Sequence, residues 1–375
     1  MSPGGYEGFP PPSPWPDLPP PPGAPEPEEH WSWRRRRLLV SLGILLFILP
    51  VVAGAFIRVP YYLISPGEAR GVAELIKVKG DNAKEFPPKG KILFTTVSLA
   101  GEVNVFRALA GWIDDEVEVI PEERITGGSP RQEVRRQNIQ AMVDSKLTAT
   151  KVALERLGYR VSVNGNGALV TMVNPGDPAD GQLQVGDVIK AVDGETVTLH
   201  DQVVTKVRQH KPGDVIAIGF QRGGADKTVE LKSVAGPEGE ARVGVQLQTN
   251  ELKYDFPVDV SIETGLVGGP SAGLAFTLAL IDDLTEGELT GGRNVAVTGT
   301  IDAAGKIGQV GGVAQKTVTA RNAGAIAFLV PPEEEKDAKK FAGKMQIIAV
   351  ETLADALEAL HRLGGSEVAL PAGHS

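Results

Sequence analysis

The chain has 375 residues, 42% of them hydrophobic, a net charge of −9 and no cysteine. That length allows two folded units, and the missing thiol excludes disulfides, thiolate metal sites and a cysteine nucleophile. The acidic balance, with Lys and Arg scattered apart from one run, leaves no footprint for nucleic acid as a partner.

Residues 1–33 are rich in Pro, Gly and acidic groups, as in Phe9-Pro10-Pro11-Pro12-Ser13-Pro14-Trp15-Pro16 and Pro19 to Pro22. Such a segment has too little apolar surface to offset its ordering entropy, and its prolines favour an extended backbone. A disordered Pro-rich tail is expected over 1–37, as a solvated spacer or a docking ligand. From Leu38 to Ile57 the sequence runs without a charge, and a helix of that length spans a hydrocarbon core of roughly 30 Å. A transmembrane helix is expected over 38–57, with Pro50 inside it. Arg34 to Arg37 stand directly before it, whereas the first fifteen residues beyond it carry only Arg58 and Arg70 as basic residues. The positive-inside bias then predicts a single-pass protein of the cell membrane, with a cytoplasmic N-terminus, extracytoplasmic domains and the lipid bilayer as a partner. A cleaved signal peptide is the rival, because Ala53-Gly54-Ala55 has the small residues of a cleavage site.

Beyond the apolar run, Val59 to Gly67 reads as extended and Ile92 to Val97 as a buried strand. Residues 131–158 read as a long amphipathic helix stopped by Gly158. Ile139, Met142, Val143, Leu147, Leu154 and Leu157 fall on one face at three- and four-residue steps and are expected to pack in the core, with Thr150 the one polar interruption.

Residues 161–236 change to short β-rich runs with Gly and Asp turns and one helix near 200–210. The stretch from Gly181 through Gly186-Asp187-Val188-Ile189 to Asp193-Gly194 resembles the strand-turn-strand signature of PDZ domains. The resemblance implies a groove between the second strand and the helix, where a peptide strand adds to a sheet edge and its carboxylate meets backbone amides. Gly165, Gly167, Ala168, Leu169 and Val170 are the expected peptide-binding residues, although Gly165 to Val170 departs from the usual Gly-apolar-Gly-apolar form. A structural or regulatory role for the module stays open.

Farther on, Gly268-Gly269-Pro270-Ser271-Ala272-Gly273 leads into an apolar helix reaching about Leu284. A serine at such a turn is exposed beside backbone N–H groups that can hold an oxyanion, or it simply caps the helix. Val295 to Ile301 reads as a strand and turn, and Ile307 to Lys316 opens another helix. Together the Gly-Pro-Ser-Ala-Gly turn and the lysine after Gly311-Gly312 resemble the proteolytic domain of Lon proteases. Met142-Val143-Asp144-Ser145-Lys146 through Tyr159 is similar to a helix that precedes the serine motif in that family.

The resemblance implies an α/β Lon-type proteolytic domain with an inserted or preceding β-rich PDZ-like domain and one N-terminal transmembrane helix. Its parts are the N-terminal region 58–160, the PDZ-like domain 161–236, the catalytic domain 237–365 and a flexible 366–375. It also implies a serine endopeptidase in which Ser271 is the nucleophile and Lys316 its base. Thr298 orients the lysine, and the backbone at Gly269, Pro270 and Ala272 faces the oxyanion. To act near neutral pH the lysine's pKa of about 10.4 must fall by about 3, on the order of 4 kcal/mol, which burial supplies. Gly268 stands where the family often has an acidic residue. With no Gly-x-x-x-x-Gly-Lys-[Ser/Thr] loop and no His-Glu-x-x-His spacing among five histidines, no cofactor, ATP or metal is expected. Protein or peptide substrates are the expected partners, and a homo-oligomer is compatible with them. The competing reading is a catalytically silent peptide-binding protein at the membrane surface.

Overall fold

The computed structural model describes residues 30–79, 84–237, 239–265 and 267–368. The tail expected over residues 1–29 and the C-terminal stretch 369–375 lie outside the described residues. The chain divides into two units.

The first unit holds helix α1 (His30–Phe56) and Asn104–Arg107. The helix begins eight residues before the apolar run, so 30–37 is helical rather than part of a disordered tail. Arginine is a good helix former, and extending an existing helix needs no new nucleus. From Leu38 to Phe56 the helix is apolar all round and almost wholly exposed. It is long and apolar enough to be a membrane span or a signal sequence. Near its end the Asn104 side chain donates to the Ala55 carbonyl at 3.1 Å.

In the second unit six strands make the larger sheet: β1 (Tyr61–Gly71), β2 (Lys91–Ala100), β3 (Glu118–Pro121), β4 (Asn294–Val297), β5 (Ala327–Val330) and β6 (Gln346–Ala349). The helices of this unit are α2 (Val105–Ile113, from Ala108 on), α3 (Arg131–Arg156), α4 (His200–Arg208), α5 (Gly273–Asp283), α6 (Val313–Asn322) and α7 (Leu353–Arg362); α4 goes with the smaller sheet described below and the others with the larger one. The strand order is β6-β5-β4-β2-β1-β3, with β2, β4, β5 and β6 parallel and β1 antiparallel to both its neighbours. Covered on both faces, the central strands are continuous apolar runs whose side chains alternate between two cores. Phe94, Val295, Val297 and Leu329 join α3, α5 and α7, whereas Leu93, Ala296, Phe328 and Val330 join α6. Helices α5 and α6 therefore lie on opposite faces of one sheet.

Every residue of α5 is buried. Its close neighbour is α3, which forms where the sequence predicts it and buries Met142, Leu154 and Leu157 of the predicted stripe, but gives the rest of its buried surface mostly to small residues. Ile139 and Val143 are 45% and 43% exposed, while Met142, Ser145, Ala149, Val152 and Ala153 are buried along with Leu154 and Leu157. The small residues are what let the two helices approach: a Cβ added at Gly273 would stand 2.9 Å from the Ser145 hydroxyl.

A second, smaller sheet falls in the chain between α3 and α5. Its strands run in the order Ala225–Lys232, Val215–Arg222, Val188–Val192, Ala168–Val173 and Val245–Thr249, around a core that includes Val203 and Val207 of α4. The chain enters it through Ser162–Asn164 and leaves through Lys253–Asp255, and these two segments pair antiparallel as a two-stranded neck. Because β1, β2 and β3 complete the sheet that β4 to β6 continue, the smaller sheet is inserted into the larger unit.

At the end of α5, burial pushes the carboxyls of Asp282 and Asp283 up, to about 6 and about 7, and Asp283 is raised further by Asp282 and Glu85. Folded-state values above the ordinary carboxylate range of about 4 mean stability that is present at low pH and lost as pH rises through 6–7. Asp283→Asn is expected to raise Tm at pH 8, offsetting an ionisation cost on the order of 4 kcal/mol. The gain should vanish near pH 4 when melting is followed by circular dichroism.

Candidate active site

Ser271, Thr298 and Lys316 come from three elements and meet at the carboxyl end of β4. Thr298 follows that strand directly, its N–H bonded to the Leu329 carbonyl of β5 at 3.0 Å. Open α/β sheets place their sites outside such strand ends. Ser271 ends the turn that opens α5 on one face of the sheet, and Lys316 stands in the first turn of α6 on the other. The strand end is where the two faces become mutually accessible.

The serine turn is held from both sides. Helix α3 takes the Gly269 N–H on the Asn138 carbonyl at 2.8 Å and gives the Ser145 hydroxyl to the Pro270 carbonyl at 3.0 Å. The β4 side fixes the Ser271 carbonyl, which accepts from the Gly299 N–H at 3.0 Å and from the Thr298 hydroxyl at 3.2 Å. Ser271 itself is half-buried and Ala272 buried. Of the backbone expected to face an oxyanion, Gly269 spends its N–H on α3 and Pro270 has none to give. The N–H groups of Ser271 and Ala272 have no acceptor among the described residues. They lie at the N-terminus of α5, where a developing negative charge is favoured.

Lys316 is 3% exposed. Its Nζ donates to the Thr298 hydroxyl at 3.3 Å. Thr298 thus joins the other two residues, accepting from the lysine while donating to the serine's carbonyl, which uses a hydroxyl's donor and one lone pair. Burial pulls the lysine pKa down to about 8, with the Glu334 carboxylate acting in the opposite direction. Its place in the first helical turn, near the positive end of the macrodipole, also favours the neutral amine. The turn before α6 needs glycine: Gly312 has φ of 67°, and a Cβ there would stand 2.9 Å from Val97 Cγ1.

Glu334 has no place in the sequence reading. Its Oε1 accepts the Val310 N–H at 2.9 Å, bracing the loop that launches α6, while Oε2 is buried without a partner among the described residues. It belongs to a run of three glutamates, 333–335, whose ordinary reading is a solvated charge cluster, so no local signal distinguishes it.

The residues expected to bind peptide are not arranged for it. Ala168 to Val170 lie in a strand paired on both edges, with 188–189 on one side and 247–249 on the other. The N–H groups of Asn166, Gly167 and Val170 donate to Asn250, Thr198 and Asp187. The strand at the end of the sheet is Val245–Thr249, whose only strand partner among the described residues is Ala168–Val173; α4 lies near it, and the Thr249 hydroxyl accepts from the His200 N–H at 3.1 Å. It follows Val243-Gly244, and its Val-Gln-Leu-Gln alternation was a readable strand signal.

A family model described as PDZ domain matches residues 155–233, and one described as Lon protease (S16) C-terminal proteolytic domain matches 245–362. The Lon protease of Clostridium acetobutylicum is 33% identical over 126 residues, covering 30% of this chain and 16% of that protein. The Lon protease of Clostridioides difficile is 36% identical over 107 residues, covering 27% and 13%. The chain therefore spans less than a fifth of the length of these two relatives. Among solved structures, the PDZ domain of an SdrC-like protein from Listeria monocytogenes is 24% identical, covers 22% of this chain and 87% of that one, and has a TM-score of 0.21. The two family matches are separated by residues 234–244, yet 245–249 in the second match is the last strand of the smaller sheet, and β1 to β3 with nearly all of α3 complete the larger unit from outside either match.

Lys316 is expected to titrate near pH 8 in the folded chain, and Glu334→Gln to move it lower by removing a charge that favours the ammonium while keeping an acceptor for Val310. Carbon-13 NMR of lysine Cε in detergent-solubilised protein, with the signal assigned through Lys316→Arg, reads both values. Titration of the wild type near 10 would contradict the burial account.

Proposed function

On the premise that the chain carries a PDZ domain and the C-terminal proteolytic domain of Lon proteases, we propose that it is a membrane-anchored, ATP-independent serine endopeptidase working through Ser271 and Lys316. The observation that carries this reading is a buried lysine, lowered to about 8, that shares the Thr298 hydroxyl with the serine's own backbone. Ser271 Oγ attacks the scissile carbonyl carbon as the Lys316 amine takes the hydroxyl proton. The carbonyl electron pair moves to oxygen, where the N–H groups of Ser271 and Ala272 stabilise it. Collapse breaks the C–N bond, Lys316 returns the proton to the leaving amine, and an ester to Ser271 remains. Water then attacks that ester with Lys316 again as base, releasing the acid and restoring the serine. Thr298 acts by orienting the amine.

Helix α1 serves as the anchor, with Arg34–Arg37 on the cytoplasmic side and the domains outside. A peptide strand adds to the PDZ unit at the edge of Val245–Thr249, beside α4, delivering substrates or gating the site.

Hydrolysis of unstructured peptides by the full chain should fall by roughly 10³-fold or more in Ser271→Ala and in Lys316→Ala, with no further loss in the double variant. Thr298→Val should cost roughly 10–100-fold, because it misplaces the base without removing it. Activity should climb as pH passes through about 8, where Lys316 loses its proton, and be indifferent to ATP and chelators. Cleavage persisting in Ser271→Ala would refute the mechanism. Val204 of α4 is 38% exposed, and Val204→Arg should weaken binding of fluorescent C-terminal peptides several-fold without altering hydrolysis of short substrates that bypass the PDZ unit. Unchanged anisotropy titrations would move peptide binding away from this edge.

A further inference from the structure

Helix α2 carries an apolar face that the protein leaves uncovered. Leu109, Trp112 and Ile113 are 45%, 59% and 84% exposed, and their spacing of three and four residues sets them side by side on one stripe. The opposite side of the helix is fixed: Ala108 and Gly111 are buried, and Gly111 lies against Val119 of β3 and Leu63 of β1. The stripe is therefore presented by a braced helix, and turning it inward would undo that packing.

The chain itself says what the stripe meets. The Trp112 ring makes an edge-on contact with Tyr61, their centroids 5.8 Å apart. Tyr61 is the fifth residue after Phe56, the last residue of the apolar helix α1. Five residues reach at most about 18 Å, so the stripe is held close to the point where the chain leaves that helix. Trp and Tyr concentrate at the boundary between lipid and water, where an apolar ring body and a polar edge are both satisfied. Exposed Arg107 precedes the stripe and exposed Asp114 and Asp115 follow it. The basic group suits anionic headgroups, and the acidic pair marks where the chain turns back to water. A short amphipathic helix of this composition suits the interface plane rather than the bilayer interior.

We infer that α2 is an interfacial helix, with Leu109, Trp112 and Ile113 seated in the headgroup layer beside the span, so that the catalytic unit rests on the outer membrane surface instead of swinging on a free tether. This rests on the reading of α1 as a membrane anchor.

The chain has no cysteine, so one introduced residue is a unique labelling site. The full chain is reconstituted into vesicles of phosphatidylcholine and phosphatidylglycerol with a nitroxide at Ile113→Cys, at Leu46→Cys within α1, or at Val185→Cys, a position 69% exposed on the PDZ unit. Relaxation by lipid-soluble oxygen is compared with relaxation by a water-soluble nickel chelate. The expected result is an oxygen-to-nickel ratio at 113 several-fold above that at 185 and below that at 46. Equal ratios at 113 and 185 would overturn the proposal. So would a label at 113 shielded from both reagents and dipolar-coupled to a second label, the signature of another copy covering the stripe. A water-like ratio at 46 would instead remove the anchor reading, a failure distinct from a water-like ratio at 113 alone. All three sites are exposed, and unchanged melting of the labelled chains confirms that the fold is retained.

Discussion

The Thr298 hydroxyl is the point on which the site turns. It accepts from a lysine buried on one face of the sheet and donates to the backbone of a serine that opens a helix on the other. Neither group would sit where it does without the strand end between them. A lysine ammonium taken out of water is costly unless a partner compensates it, and one neutral hydroxyl compensates poorly. Burial therefore favours the neutral amine, and the same hydroxyl links that amine to the backbone carbonyl of Ser271. Position and basicity come from a single arrangement.

The opposing influence of Glu334 places the lysine between two limits. Burial alone would press its pKa lower, whereas a carboxylate in direct contact would hold it protonated. A glutamate committed through Oε1 to the Val310 N–H is near enough to act while occupied in bracing the loop. For the base proposed at Lys316 this balance is useful, since general bases are most effective when their pKa lies near the working pH. The buried, unpartnered Oε2 fits a group kept for its field, since an unsatisfied buried oxygen costs stability.

Much of this was legible in the chain. The serine turn, the lysine after paired glycines and the threonine after a β-branched run are local patterns, and local patterns survive folding. What the sequence misreported depends on approach between distant elements. Counting apolar residues on α3 favoured Ile139 and Val143, but the face that meets α5 is chosen by size, and Ser145 and Ala149 fit where larger side chains would not. The peptide-binding residues were sought beside a glycine pair at 165–167, yet a glycine-rich loop does not reveal whether its N–H groups are already spent. Only the strand pairing tells that Ala168–Val173 is interior to its sheet and Val245–Thr249 at its edge. Glu334 stayed hidden because its role depends on a loop 24 residues earlier in the chain.

The inserted sheet is attached so that its two connections cannot move independently. Ser162–Asn164 and Lys253–Asp255 pair as one ribbon, and the Tyr254 ring stacks on Phe256 at 5.6 Å. One strand of that ribbon follows α3, the helix that grips Gly269 and Pro270, and the other leads toward the serine turn. The edge strand Val245–Thr249 lies just before the outgoing connection. A peptide bound at that edge, as proposed, would have a short covalent path to both holders of the serine and would need no contact with Ser271 or Lys316. Such a path becomes a switch only if the neck has two stable arrangements that the ligand distinguishes. With a single arrangement, the same connection is a tether that raises substrate concentration near Ser271, and its effect depends on linker reach rather than on the state of the site.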